Sequence, residues 1–149
     1  IHKITEEHLK MHGETSMVEF LSEFIEDYED CAYAVGHNIN FDVSILQAAL
    51  IRNGIHYTIN DGFKSQPKHY CTMKYSRYLL KIERVSKYGK KYYKSPKLIE
   101  LHDYLFNREE LSNLHNSMVD VVYTLRCYYK MMYDRDVFAM CKTVPKLIM

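Results

Sequence analysis

The chain has 149 residues, 47% of them hydrophobic, with 20 Lys and Arg against 19 Asp and Glu. That length suits one domain with a real core, and that apolar content excludes a disordered polyelectrolyte. The formal charge of +1 excludes little by itself, because it averages a mostly acidic stretch from Glu6 to Asp30 with a basic one from Lys81 to Lys97.

No apolar run reaches the length of a membrane span, and no charged-then-apolar leader stands at the start. An intracellular protein, cytoplasmic or nuclear and without a membrane partner, is therefore expected. Cys31, Cys71, Cys127 and Cys141 are widely spaced and contain no Cys-x-x-Cys pair. Reduced, mostly buried thiols are expected, with two distant disulfides as the alternative, and the spacing is unsuited to zinc. The usage rich in Tyr, Lys and Ile fits an AT-rich genome, viral or cellular. Ile1 rather than methionine opens the chain, and we read it as a fragment or processed product.

In chain order, Ile1 to Thr5 reads as a strand end, followed by a short turn of helix from Thr5 to Leu9. Ser16-Met17-Val18-Glu19 has the pattern of a capping box. It opens an amphipathic helix in which Val18, Leu21, Phe24, Ile25 and Tyr28 form the apolar face. Cys31 to Val35, closed by Gly36, predicts a buried strand. Asn40 can cap the next helix, which carries Ile45, Leu46, Ala49 and Leu50 to a stop at Asn53-Gly54.

His69 to Met73 is a second strand candidate after Pro67. Tyr88-Gly89-Lys90 is a turn signal between Tyr-, Val- and Lys-bearing arms, so residues 81–97 read as a basic hairpin or loop insertion. A helix is expected from Ser95-Pro96, with Leu98, Leu101, Tyr104 and Leu105 inward. The last long helix begins near Asn116 and turns Met118, Val121, Val122, Leu125, Tyr128 and Tyr129 inward. A short helix and a tail follow Asp134. This order of elements predicts one α/β layered domain with parallel strands, and Asp42 just beyond a strand's carboxyl end, where open α/β sheets place ligands.

Two segments carry chemistry: Gly36-His37-Asn38-Ile39-Asn40-Phe41-Asp42 and His115-Asn116-Ser117-Met118-Val119-Asp120. Each sets a carboxylate at the start of an apolar-periodic stretch. Hydrolysis of a phosphodiester must bring an anionic nucleophile to an anionic phosphate, and two divalent ions about 3.5–4 Å apart offset that repulsion. Mg²⁺ and Mn²⁺ take oxygen ligands, which Asp42 and Asp120 offer. His115 can take a proton from water near neutral pH. The plainer account is that first-turn acids are favoured by the helix macrodipole alone. Spacing lets all three reach one cleft without requiring it.

These segments resemble the second and third motifs of the proofreading-type 3′–5′ exonucleases, the DnaQ-like DEDDh family with a ribonuclease H-like fold. Ile1-His2-Lys3-Ile4-Thr5 is similar to the family's Ile-His-Gly-Ile-Thr turn, with Lys3 in place of glycine. The resemblance runs from Ile1 to about Tyr133. It implies Asp42 and Asp120 as metal ligands for Mg²⁺ or Mn²⁺ and His115 as general base. It further implies that His2, Asn38 and Phe41 line the pocket for the terminal nucleotide. For Phe41 a core position is the alternative, and for Asn38 a loop hydrogen bond. The implied reaction removes nucleoside monophosphates from a DNA or RNA 3′ end, with a polymerase as candidate partner.

The family's first motif, an Asp-x-Glu pair on the central strand, has no counterpart before Ile1 here. Asp27-Tyr28-Glu29 is no substitute, because it ends a helix and its acids point to different faces. The expected fold is therefore N-terminally truncated and lacks the first strands of the mixed sheet. This fragment alone is expected to be inactive. Its exposed strand edge would need the missing segment or self-association to cover it.

Between Lys81 and Lys97 seven cations accompany Glu83 as the one acid, interleaved with Tyr88, Tyr92 and Tyr93. Lys87, Lys90, Lys91 and Lys94 are candidates to track phosphates while tyrosines stack on unpaired bases. A solvated hairpin with packed tyrosines is the alternative. Three functions thus stand: part of a metal-dependent exonuclease, a non-catalytic nucleic-acid-binding or polymerase-associated module of the same fold, and a structural interaction domain.

Overall fold

The computed structural model describes residues 16–62, 66–107 and 116–148. The turn expected from Ile1 to Leu9 lies outside them. The architecture is mixed α/β. Helix α1 (Met17–Asp30) leads to strand β1 (Tyr33–Gly36), helix α2 (Ile39–Arg52) and strand β2 (Lys68–Cys71). Helix α3 (Thr72–Leu80) follows at once, then strands β3 (Glu83–Val85) and β4 (Lys91–Tyr93). Helices α4 (Leu98–Leu105), α5 (Ser117–Tyr133) and α6 (Val137–Met140) and a 3₁₀ turn (Val144–Ile148) complete the order. Among the described residues β1 pairs with β2, and β3 with β4, in separate two-stranded sheets.

The chain gathers into two compact units. The first takes residues up to 34 together with 39–70, and the second takes 35–38 and 71 onward. In the first unit Leu21, Tyr28, Leu50 and Ile59 form the buried centre, joined by Phe24, Ile25, Leu46 and Ile55. Ser16 is the N-cap of α1 but makes no side-chain capping bond. Val18, expected inward, is 47% exposed. Tyr28 lies in the core while Asp27 and Glu29 on either side are exposed, so that acidic pair is a solvated helix edge.

Helix α2 stops as Asn53-Gly54 predicts. Gly54 adopts φ +69, its N–H donates to the Ile51 carbonyl at 3.1 Å, and the Ile55 N–H donates to Leu50 at 3.0 Å. This paired closure satisfies two orphan carbonyls and seats Ile55 on the core it follows.

In the second unit α5 is the central helix. It buries Val119, Val122, Tyr123, Thr124, Arg126, Cys127 and Tyr128. Met118 and Val121, expected inward, are 49% and 63% exposed. The buried face is displaced because Arg126, a polar residue that apolar periodicity sends outward, is buried with its charge paired. Helix α4 starts at Leu98, two residues after Pro96, where the Glu100 carboxylate accepts from the Lys97 N–H at 2.7 Å. Its buried residues are Leu101 and His102, and Tyr104 faces out. Of the four free cysteines only Cys127 is buried, which pushes its thiol up to about 12, while Cys31 and Cys141 are exposed.

Candidate functional site

Asp42 stands in the first turn of α2, six residues past the last residue of β1. The helix begins at Ile39, so Asn40 lies inside the first turn and does not cap it. Ile39 is the buried anchor of that turn. Phe41 is 63% exposed, which removes the alternative of a core side chain within the described residues. Asp42 is exposed as a residue, yet partial burial at its carboxyl raises its pKa above the ordinary value, against the opposing pull of its own backbone N–H. Proton and cation would compete for the same oxygens there.

The second unit holds Gly36, His37 and Asn38, the rest of the Gly36–Asp42 segment. Asn38 is exposed and adopts φ +77, a left-handed conformation that asparagine tolerates better than most residues. His37 is half-buried and held at both ring nitrogens. Its Nε2 lies 3.1 Å from the Pro96 carbonyl, which can only accept, so Nε2 carries the hydrogen. Nδ1 lies 3.0 Å from the Thr72 hydroxyl. Burial holds the imidazole below its ordinary pKa, against the Pro96 carbonyl and the Asp120 carboxylate, which both favour its charged form. His37 therefore ties the end of β1 to the start of α3 and the loop before α4. Sequence reading left it without a role, although it sits inside the motif.

Asp120 is half-buried in the first turn of α5. Asn116 caps that helix, its side-chain oxygen accepting from the Met118 N–H at 2.9 Å, and its carbonyl accepts from the Asp120 N–H at 3.0 Å. The start expected near Asn116 is thus built by a capping bond. Asp42 belongs to the first unit and Asp120 to the second. His2 and His115 lie outside the described residues. Among the described residues no group of three or more His, Cys, Asp or Glu side chains is gathered as a metal cluster. Each aspartate has the oxygen-donor chemistry that Mg²⁺ or Mn²⁺ takes.

The hairpin is antiparallel, with Glu83 opposite Tyr93, Arg84 opposite Tyr92 and Val85 opposite Lys91. Gly89 turns it at φ +78, and the Ser86 N–H donates to the Lys90 carbonyl at 2.9 Å. Lys87, Lys90 and Lys91 are exposed. Lys87 holds its ammonium 4.9 Å from the centre of the Tyr88 ring, which is 83% exposed. Lys94 differs from these three: it is half-buried and paired with Glu100. Arg77, Tyr78, Glu83, Lys91, Tyr92 and Tyr93 line a groove of about 490 Å³. Arg77 and Tyr78 come from α3, which sequence reading did not assign as helix. The strand ends at Cys71, and the helix that follows buries Thr72 and Ser76 rather than an apolar stripe.

No described helix is long and apolar enough to cross a membrane. Comparison of the chain with protein-family models, with curated proteins and with solved structures finds no match.

Proposed function

We propose that the chain is the larger part of a metal-dependent 3′–5′ exonuclease domain of ribonuclease H-like fold, releasing nucleoside monophosphates from DNA or RNA 3′ ends. Asp42 and Asp120 hold Mg²⁺ or Mn²⁺, His115 is the general base, and His2, Asn38 and Phe41 meet the terminal nucleotide. The rest of the ligand set is the Asp-x-Glu pair that the family resemblance implies. The observation that carries this reading is that both carboxylates occur in the first turn of a helix, one of them just after a strand's carboxyl end. Exposed Phe41 beside Asp42 adds a ring free to pack on a sugar or base. Bound cations would lower the pKa of the attacking water and offset charge on the leaving oxygen. The chain's own part is to present the oxygens, orient the strand end and accept the proton.

The test is trimming of 5′-labelled DNA and RNA single strands by the full-length protein with Mn²⁺. Asp42→Asn and Asp120→Asn should each cut the rate about 100-fold or more, since loss of groups behind a metal ligand alone costs about 10–100-fold. Their melting curves should match the parent's. Variants that trim at the parental rate would end the assignment. The second reading, a nucleic-acid-binding or polymerase-associated module without catalysis, is favoured by the exposed hairpin cations. It predicts salt-sensitive binding with no Mn²⁺-dependent trimming at all.

A further inference from the structure

The groove between α3 and the hairpin puts two kinds of group together that are seldom left in water side by side. Tyr78 is 68% exposed and Tyr92 is 50% exposed. Tyr93 stands edge-on to Tyr78, with ring centroids 6.5 Å apart and planes at 90°, which props the Tyr78 ring while leaving it open to solvent. Single exposed rings are common and need no explanation. Here they share a groove with Arg77 and Lys91.

Among the described residues neither of those cations is ion-paired. Arg77 donates from Nη2 to the Ser95 hydroxyl at 2.6 Å, which fixes its head at the groove wall. Its Nε is closed off from solvent and has no acceptor among the described residues. Neither Arg77 nor Lys91 is in an ion pair there, although Glu83 lines the same groove. Arg84, Lys87 and Lys90 extend the exposed positive surface along the hairpin. An occupant must therefore bring negative charge and flat faces together. An acidic peptide brings only the first. A duplex brings charge but keeps its base faces inside its own stack. Unpaired nucleotides bring both.

We propose that this groove binds single-stranded nucleic acid, with unpaired bases against Tyr78 and Tyr92 and phosphates towards Lys91 and Arg77. The inference rests on the exonuclease reading for its substrate class and gives that enzyme a means of preferring unpaired over paired strand ends. It adds Arg77 and Tyr78 to the lysines of the hairpin.

The experiment is fluorescence anisotropy of a short labelled oligothymidylate with the full-length protein in EDTA, where trimming cannot occur. An abasic strand of equal length and a blunt duplex serve as comparators. Tyr78→Ala combined with Tyr92→Ala should weaken oligothymidylate binding about tenfold or more, and the paired Phe substitutions should retain it. The abasic strand and the duplex should bind the parent about as weakly as the oligothymidylate binds the Ala variant. Lys91→Gln should lower the slope of log affinity against log salt by about 0.7, the value for one single-strand phosphate. Equal binding of abasic and base-bearing strands, or parental affinity in the double Ala variant, would overturn the groove assignment. Because binding is measured without metal, it is read separately from trimming: ring-dependent binding together with no trimming in the Mn²⁺ assay would sink the nuclease reading and leave the groove standing. Trimming without ring dependence would do the reverse.

Discussion

Two regions of the second unit use the same residue types to opposite ends. Arg126 lies between the rings of Phe106 and Phe138, its guanidinium carbon 4.0 and 4.2 Å from their centres. Asp136 takes two of its N–H groups, at 2.9 and 2.7 Å, and His102 Nε2 accepts a third at 3.1 Å. Arg77 and Lys91 also stand among aromatic rings, yet among the described residues they form no ion pair, and Tyr78 and Tyr92 stay exposed. A cation among aromatics is thus no signature of binding in itself. Its neutralisation within the chain decides whether the cluster is structure or leaves capacity for a ligand.

The sharpest way to break this comparison is to remove the anion from the closed cluster. Asp136→Ala leaves Arg126, whose side chain is 6% exposed, as a buried cation without its bidentate partner. Losing one member of a fully buried pair costs about 3–5 kcal/mol; with the Asp136 side chain 29% exposed the loss should lie at or below the lower end of that range. Asp136 also caps α6, its carboxylate accepting from the Phe138 N–H at 3.0 Å, which adds to the loss. Tyr92→Ala in the open cluster should stay within about 0.5 kcal/mol of the parent. Urea titration of the two variants checks the pair. Equal losses would mean that the hairpin tyrosines are structural after all.

A smaller effect should come from acid. The Arg126 hydrogen bonds hold the Asp136 carboxyl below its ordinary value of 3.8, overcoming the effect of burial. A depressed carboxylate contributes stability that is fully present above its unfolded pKa and is lost as pH falls through the folded one. The parent's melting temperature should therefore fall as pH drops below about 3.8, and Asp136→Asn should lack that part of the slope. Among the described residues neither Arg77 nor Lys91 is ion-paired, although Glu83 lines the same groove, so oligothymidylate binding should be the same in Asp136→Asn as in the parent. Parallel pH profiles for melting in parent and variant would refute the pairing as a source of stability.

The same contrast explains which elements could be read from the chain. Helix α2 was legible because apolar spacing and the Asn53-Gly54 stop agree, and the turn at Gly89 because only a few residues accept its backbone. The closed cluster was not legible. Arg126 reads as surface until Asp136, ten residues on and past the helix end, is known to fold back on it. Helix α3 escaped notice for a related reason: its buried residues, Thr72 and Ser76, are small and polar, so no apolar period marks them. The two motif aspartates were legible as helix-start acids. Their company was not, because ligand sets are assembled by tertiary contact rather than by spacing.

The open cluster depends on its turn instead of an ion pair, and this gives the smallest of the expected effects. Gly89 adopts φ +78, and a Cβ added there would meet nothing within 4 Å. Gly89→Ala therefore carries no clash, and its cost is the left-handed backbone alone, about 1–2 kcal/mol. Asn tolerates that conformation, so Gly89→Asn should cost less. The strain falls on a short exposed hairpin that can open without unfolding the unit. It should appear as local opening: hydrogen exchange at the Ser86 amide, which bonds to Lys90 across the turn, should quicken at least about fivefold in Gly89→Ala. Exchange at the α5 amides should hold at the parental rate. If α5 quickens equally, the hairpin opens only with the whole unit, and the groove owes its shape to the same packing as Arg126.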